Sequence, residues 1–91
     1  MTDVRCEVLT EREIRGLLER AVPLAYVRRE SRTGTWLVVT MRTSASRLLG
    51  RPLSAFELEE ALHRALRGVA HEVIVEDGPP RLLARVRVGS A

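Results

Sequence analysis

The chain has 91 residues, with 15 basic against 12 acidic side chains, a net charge of +3 and a hydrophobic share of 45%. That share excludes a disordered tail, and the length predicts a single domain over residues 1–91 with one core of limited burial. Every basic side chain is Arg, with no Lys, Asn or Gln. Those three residues use AT-rich codons, so the Arg content points to a GC-rich bacterial genome as readily as to a nucleic-acid partner, and the interleaved acids dilute a positive field.

Val4-Arg5-Cys6-Glu7-Val8 alternates in polarity and reads as a short leading strand with Cys6 among its apolar positions. A lone Cys forms no internal disulfide, which fits a reducing compartment. No charged-then-apolar leader is present, and no apolar run approaches the roughly 18 residues of a membrane span. The expectation is a soluble, cytoplasmic protein without membrane contact.

Thr10 followed by Glu13 forms a capping-box pattern that predicts a helix over 11–21, ended by Pro23. Ile14, Leu17, Leu18 and Ala21 share one stripe, while Glu11, Arg12, Arg15, Glu19 and Arg20 cover the rest. Glu11 and Arg15 stand four apart, as an exposed ion pair requires. The period then changes to two over 24–30 and 35–42, separated by Ser31-Arg32-Thr33-Gly34, so a hairpin follows. Residues 43–52, with Gly50 and Pro52, read as the longest irregular segment, and such loops often carry function.

Ser54 and Glu57 repeat the capping box and predict a second helix over 55–67, closed by Gly68. Leu58, Ala61, Leu62, Ala65 and Leu66 form its buried stripe, with Phe56 packing at its start; Glu60 and Arg64 are placed to pair. Residues 71–76 and 81–88 then form a second hairpin across Asp77-Gly78-Pro79-Pro80, where Gly78 is expected to supply a positive φ.

The chain therefore reads as an α+β protein of two helix–hairpin units, α-β-β-α-β-β, forming an antiparallel sheet with both helices on one face. That order resembles, in topology, the saddle-shaped LAGLIDADG endonuclease domains. Their defining helix ends in a metal-binding acidic residue, whereas the matching stretch here is Glu19-Arg20-Ala21-Val22-Pro23. No activity is carried over.

The chemistry-bearing motifs are otherwise missing. There is no glycine-rich phosphate loop, no Cys-x-x-Cys and no paired metal-ligand spacing, so neither an enzyme nor a cofactor or metal site is expected. His63 and His71 are eight apart across a helix end, and read as a solvated helix position and a loop-to-strand junction.

Alternation assigns Leu37, Val39, Met41, Val73, Val75, Leu82, Ala84 and Val86 to the helix side of the sheet. It sends Tyr26, Arg28, Trp36, Val38, Thr40, Arg42, Ile74, Leu83, Arg85 and Arg87 to the opposite face. Aromatic and Arg side chains on an apolar ground suit a protein interface, so Tyr26, Arg28, Trp36, Val38, Arg42, Arg85 and Arg87 are the candidate binding residues. Arg47 and Arg51 join them from the 43–52 loop. The function this supports is a non-catalytic protein-binding or self-associating module, a homodimer by preference. The alternative is nucleic-acid binding, with aromatics on bases and Arg on phosphates.

Overall fold

The computed structural model describes residues 9–30, 34–41, 50–78 and 80–89. Helix α1 (Glu11–Ala21) is followed by strands β1 (Tyr26–Glu30) and β2 (Thr35–Met41), and helix α2 (Ala55–Ala65) by β3 (His71–Gly78) and β4 (Arg81–Val88). The sheet is antiparallel throughout, in the order β1-β2-β4-β3, so the two hairpins meet along their second strands. Both helices cover one face of it, α1 against β1 and α2 against β3 and β4, with α1 touching α2. This is the α+β arrangement of two successive helix–hairpin units.

Each helix starts where its capping box puts it. The Thr10 hydroxyl accepts from the Glu13 N–H at 3.1 Å, and the Thr10 N–H donates to the Glu13 carboxylate at 2.8 Å. Ser54 and Glu57 repeat the exchange at 3.1 and 2.9 Å. Two of the donors left unpaired at each helix start are thereby satisfied. Leu18 of α1, Leu58 and Leu62 of α2 and Leu66 at its C-cap are fully buried, whereas Phe56 is 67% exposed and does not pack at the start of α2 as its apolarity suggested.

Between the layers lie Val22, Val27, Trp36, Val38, Leu82, Ala84 and Val86, with Val73, Val75 and Val88 partly covered. The second hairpin follows the predicted alternation; β2 reverses it. Trp36, Val38 and Thr40 are 2%, 0% and 1% exposed on the helix side, and Leu37, Val39 and Met41 occupy the other face. Pairing explains the phase: Val27 lies opposite Val38, Arg28 opposite Leu37 and Tyr26 opposite Val39. Directly paired residues share a face, so with Val27 turned inward, Tyr26 and Arg28 of β1 carry Val39 and Leu37 to the other face. One polar group is stranded inside as a result. The Thr40 hydroxyl is buried without a hydrogen-bond partner among the described residues, a situation that ordinarily costs about 1–3 kcal/mol.

Arg15 shows how α1 is tied to the sheet. Its guanidinium donates to the Val27 carbonyl at 2.7 Å and lies 5.3 Å from the centre of the Trp36 ring, while Glu11 pairs with Arg29 of β1 at 3.2 Å. Glu11 and Arg15, expected to pair along the helix, thus both reach across to the sheet. Among the described residues β1 is an edge strand; the short leading strand expected over residues 4–8, with Cys6, lies outside them. At the far edge β3 runs on through Gly78, which pairs with Arg81 in extended backbone, so the positive φ expected of Gly78 is not used.

Candidate interaction surface

The helix-free face is built by pairing, row by row. Glu30, Thr35, Arg87 and Glu72 form one row across the four strands; Arg28, Leu37, Arg85 and Ile74 form the next; Tyr26, Val39, Leu83 and Glu76 form the third. Met41 and Arg81 follow at the end nearest Gly78. The middle of the face is therefore apolar, with Leu37, Val39 and Leu83 on the central strands. Tyr26 and Ile74 on the two edge strands are 64% and 59% exposed, and Met41 is 39% exposed. Shallow depressions indent both ends, one against Val39, Leu83 and Arg81 and one against Thr35, Ile74 and Arg87.

Charge on this face is mixed, with Arg28, Arg81, Arg85 and Arg87 against Glu30, Glu72 and Glu76. Arg85 lies 3.9 Å from Glu30 and 3.8 Å from Glu76, and Arg87 lies 3.7 Å from Glu72. These are exposed pairs, each worth at most about 1 kcal/mol. Their consequence is electrostatic. Arg85 and Arg87, which could otherwise meet a phosphate, already have carboxylates beside them.

Of the residues singled out from the sequence, the structure brings Tyr26, Arg28, Arg85 and Arg87 together on the outer face. It sends Trp36 and Val38 into the core, because β2 takes its phase from β1, and neither is available to a partner there. Arg42 and Arg47 lie outside the described residues. Arg51 stands apart from the sheet surface: its guanidinium binds both oxygens of Glu57, one of them at 2.8 Å. That grip, reinforced by the Ser54 N–H, lowers the Glu57 carboxyl to about 2 from its ordinary 4.5 and raises Arg51 in turn. Arg51 is a brace on the second capping box.

Leu37, Val39, Leu83 and Ile74 make up the apolar centre, and the first two were hidden from sequence reading by the reversed phase of β2. A second convergence also escaped it. His63, in the last turn of α2, and His71, the first residue of β3, meet with ring nitrogens 2.8 Å apart. Eight residues of separation gave no sign of this, since the meeting depends on the path between helix and strand. Among the described residues no helix is long and apolar enough to cross a membrane. No family model, curated protein or solved structure matches the chain.

Proposed function

We propose that this protein is a non-catalytic self-associating module in which two copies pair the helix-free faces of their sheets. The observation that carries this reading is the apolar group of Val39, Leu83 and Ile74, with Leu37 buried among them at 8% exposure, on a face that neither helix covers, flanked by Tyr26 and Met41 and bordered by charges of both signs. Sheets pack face to face at about 10 Å when their inner rows are apolar. A two-fold copy of this surface would set apolar rows on apolar rows, and its mixed Arg and Glu border can offer an acid to a base across the axis. Nucleic acid suits the face less well: Trp36 is in the core, leaving Tyr26 as its aromatic, and Arg85 and Arg87 sit beside acids.

Sedimentation velocity on the purified chain and on Val39→Asp tests the proposal, with circular dichroism to establish that the variant is folded. The parent should be a dimer that persists at high salt, and a folded Val39→Asp should be monomeric. A monomeric parent at every accessible concentration, or a dimer that ignores the Asp, would sink it. So would salt-sensitive binding of the parent to a generic polynucleotide in preference to itself.

A further inference from the structure

The ring nitrogens of His63 and His71 face each other 2.8 Å apart, and what lies between them is set by the tautomer of His63. His71 Nδ1 is hydrogen-bonded to the Val69 carbonyl, and a carbonyl only accepts, so the proton of a neutral His71 sits on Nδ1. Its Nε2 then presents a lone pair. On the other side, His63 Nε2 lies 3.6 Å from the Glu59 carboxylate, too far for a hydrogen bond. With its proton on Nδ1, His63 donates to His71; with its proton on Nε2, towards Glu59, it aims a second lone pair at His71 Nε2 over 2.8 Å. In that second tautomer the pair offers both nitrogens to a proton or a metal ion.

We propose that this gap is a binding site for a late first-row divalent cation such as Zn²⁺ or Ni²⁺, ligated by His63 Nδ1 and His71 Nε2. Imidazole suits these ions, and in established sites a ligating His gives its other ring N–H to a carboxylate or a backbone carbonyl. Here both outer partners are present, Glu59 for His63 and the Val69 carbonyl for His71. Two zinc–nitrogen bonds of about 2.0–2.1 Å at a tetrahedral angle need the nitrogens roughly 3.4 Å apart, so the rings must part by a few tenths of an ångström. The side chain of His63 is 46% exposed and free to make that adjustment, and an ion can reach it from solvent.

The backbone holds the two donors in register. The α2–β3 connection is closed by hydrogen bonds from Leu66 N–H to Leu62 O, Arg67 N–H to Arg64 O and Val69 N–H to Leu66 O, and Ala70 accepts from Gly89 at 2.9 Å. Of the two arginines that line a hollow with His63, Arg64 pairs with Glu60 at 3.9 Å, and Arg67 adds a positive charge that the site must tolerate. No group of three or more His, Cys, Asp or Glu that could hold a metal exists among the described residues. The remaining coordination positions therefore go to water or to an exchangeable ligand, as at a surface chelate.

Calorimetric titration of the full chain, free of any added histidine tag, with ZnCl₂, NiCl₂ and MgCl₂ near neutral pH tests the site. The expected result is saturable binding of one Zn²⁺ or Ni²⁺ per chain and none of Mg²⁺, with affinity at least about tenfold weaker in His63→Gln and in His71→Gln and weakened in Glu59→Gln. Side-chain ¹⁵N spectra should show Zn²⁺ perturbing His63 Nδ1 and His71 Nε2. Absence of saturable binding up to about 1 mM metal would overturn the proposal and leave the gap to a shared proton. It would equally fail if the double His→Gln variant bound undiminished, if Mg²⁺ bound as well as Zn²⁺, or if the perturbed nitrogens were the outer pair.

Discussion

β2 and β4 are the two central strands, paired with each other from Thr35–Arg87 to Met41–Arg81, yet they divide polar and apolar residues between their faces differently. The inner row of β4 is wholly apolar, with Leu82, Ala84 and Val86 buried, and its outer row holds Arg85 and Arg87. β2 places Trp36, Val38 and Thr40 inside and gives its apolar Leu37, Val39 and Met41 to the outer face. A strand like β4 orients itself, since only one face can be buried without burying Arg. A strand like β2 is apolar on both sides and takes its orientation from its neighbours. The apolar outer row it is left with is the feature that makes the helix-free face an interaction surface.

The largest effect that could break this comparison lies within β2 itself. Trp36→Ala should destabilise the fold by about 3–5 kcal/mol, the usual cost of truncating a buried aromatic, and it also takes away the ring against which the Arg15 guanidinium rests. Val39→Ala, three residues along on the other face, should cost roughly 1 kcal/mol or less. Denaturant unfolding of the two variants measures the difference. Equal destabilisation would mean that β2 has no inner face in the sense described.

Turn length held the information about β2 that alternation lacked. Residues 31–34 are four in number and Glu30 pairs with Thr35, so residues opposite one another on β1 and β2 differ by an odd number. Once Arg28 is assigned outward, Leu37 must follow it, and Trp36 and Val38 must turn in. Placing Tyr26 and Arg28 on the same face as Trp36 and Val38 conflicts with that pairing. The helices were legible for a simpler reason: each has a capping box at one end, a periodic stripe, and Pro23 or Gly68 at the other. The second hairpin was legible because Arg and Glu alternate with its aliphatic residues. The His63–His71 meeting was not, because no local rule states where the last turn of α2 lies over the start of β3.

The two helix-to-strand connections sharpen the comparison at a smaller scale. After α1 the chain turns through Val22-Pro23-Leu24-Ala25, closed by a 3.2 Å bond from the Ala25 N–H to the Val22 carbonyl, with Leu24 at φ +70° and 64% exposed. After α2 the left-handed position is taken by Gly68 at φ +86°. A residue with a Cβ is disfavoured by roughly 1 kcal/mol or more in that region, whereas glycine occupies it freely. Leu24→Gly should accordingly stabilise the protein by up to about 1 kcal/mol, and Gly68→Ala should destabilise it by about as much, because open space around Gly68 does not relieve its backbone. Thermal melts of both variants give the signs. Same-sign shifts would show that the two connections are not equivalent turns.

The smallest predicted effect separates the two capping boxes. In the second box Glu57 serves Ser54 and is also gripped by Arg51, which is why its carboxyl lies at about 2 instead of 4.5. A carboxyl lowered by folding stays charged in the native state while the unfolded chain takes up its proton, so stability rises with pH through that interval. The contribution is complete above about 4.5 and disappears as the pH falls towards 2. Glu57→Gln removes the titration but leaves an amide oxygen that can still accept from the Ser54 N–H. Arg51→Ala removes the principal cause of the shift while leaving the box intact. Both substitutions should therefore flatten the fall in stability between pH 4.5 and 2, measured by urea unfolding at a series of pH values, and the effect should be modest because the pair is exposed to solvent. If Glu57→Gln flattens the acid limb and Arg51→Ala does not, the Ser54 backbone alone holds the carboxylate, and the second box is no different in kind from the first.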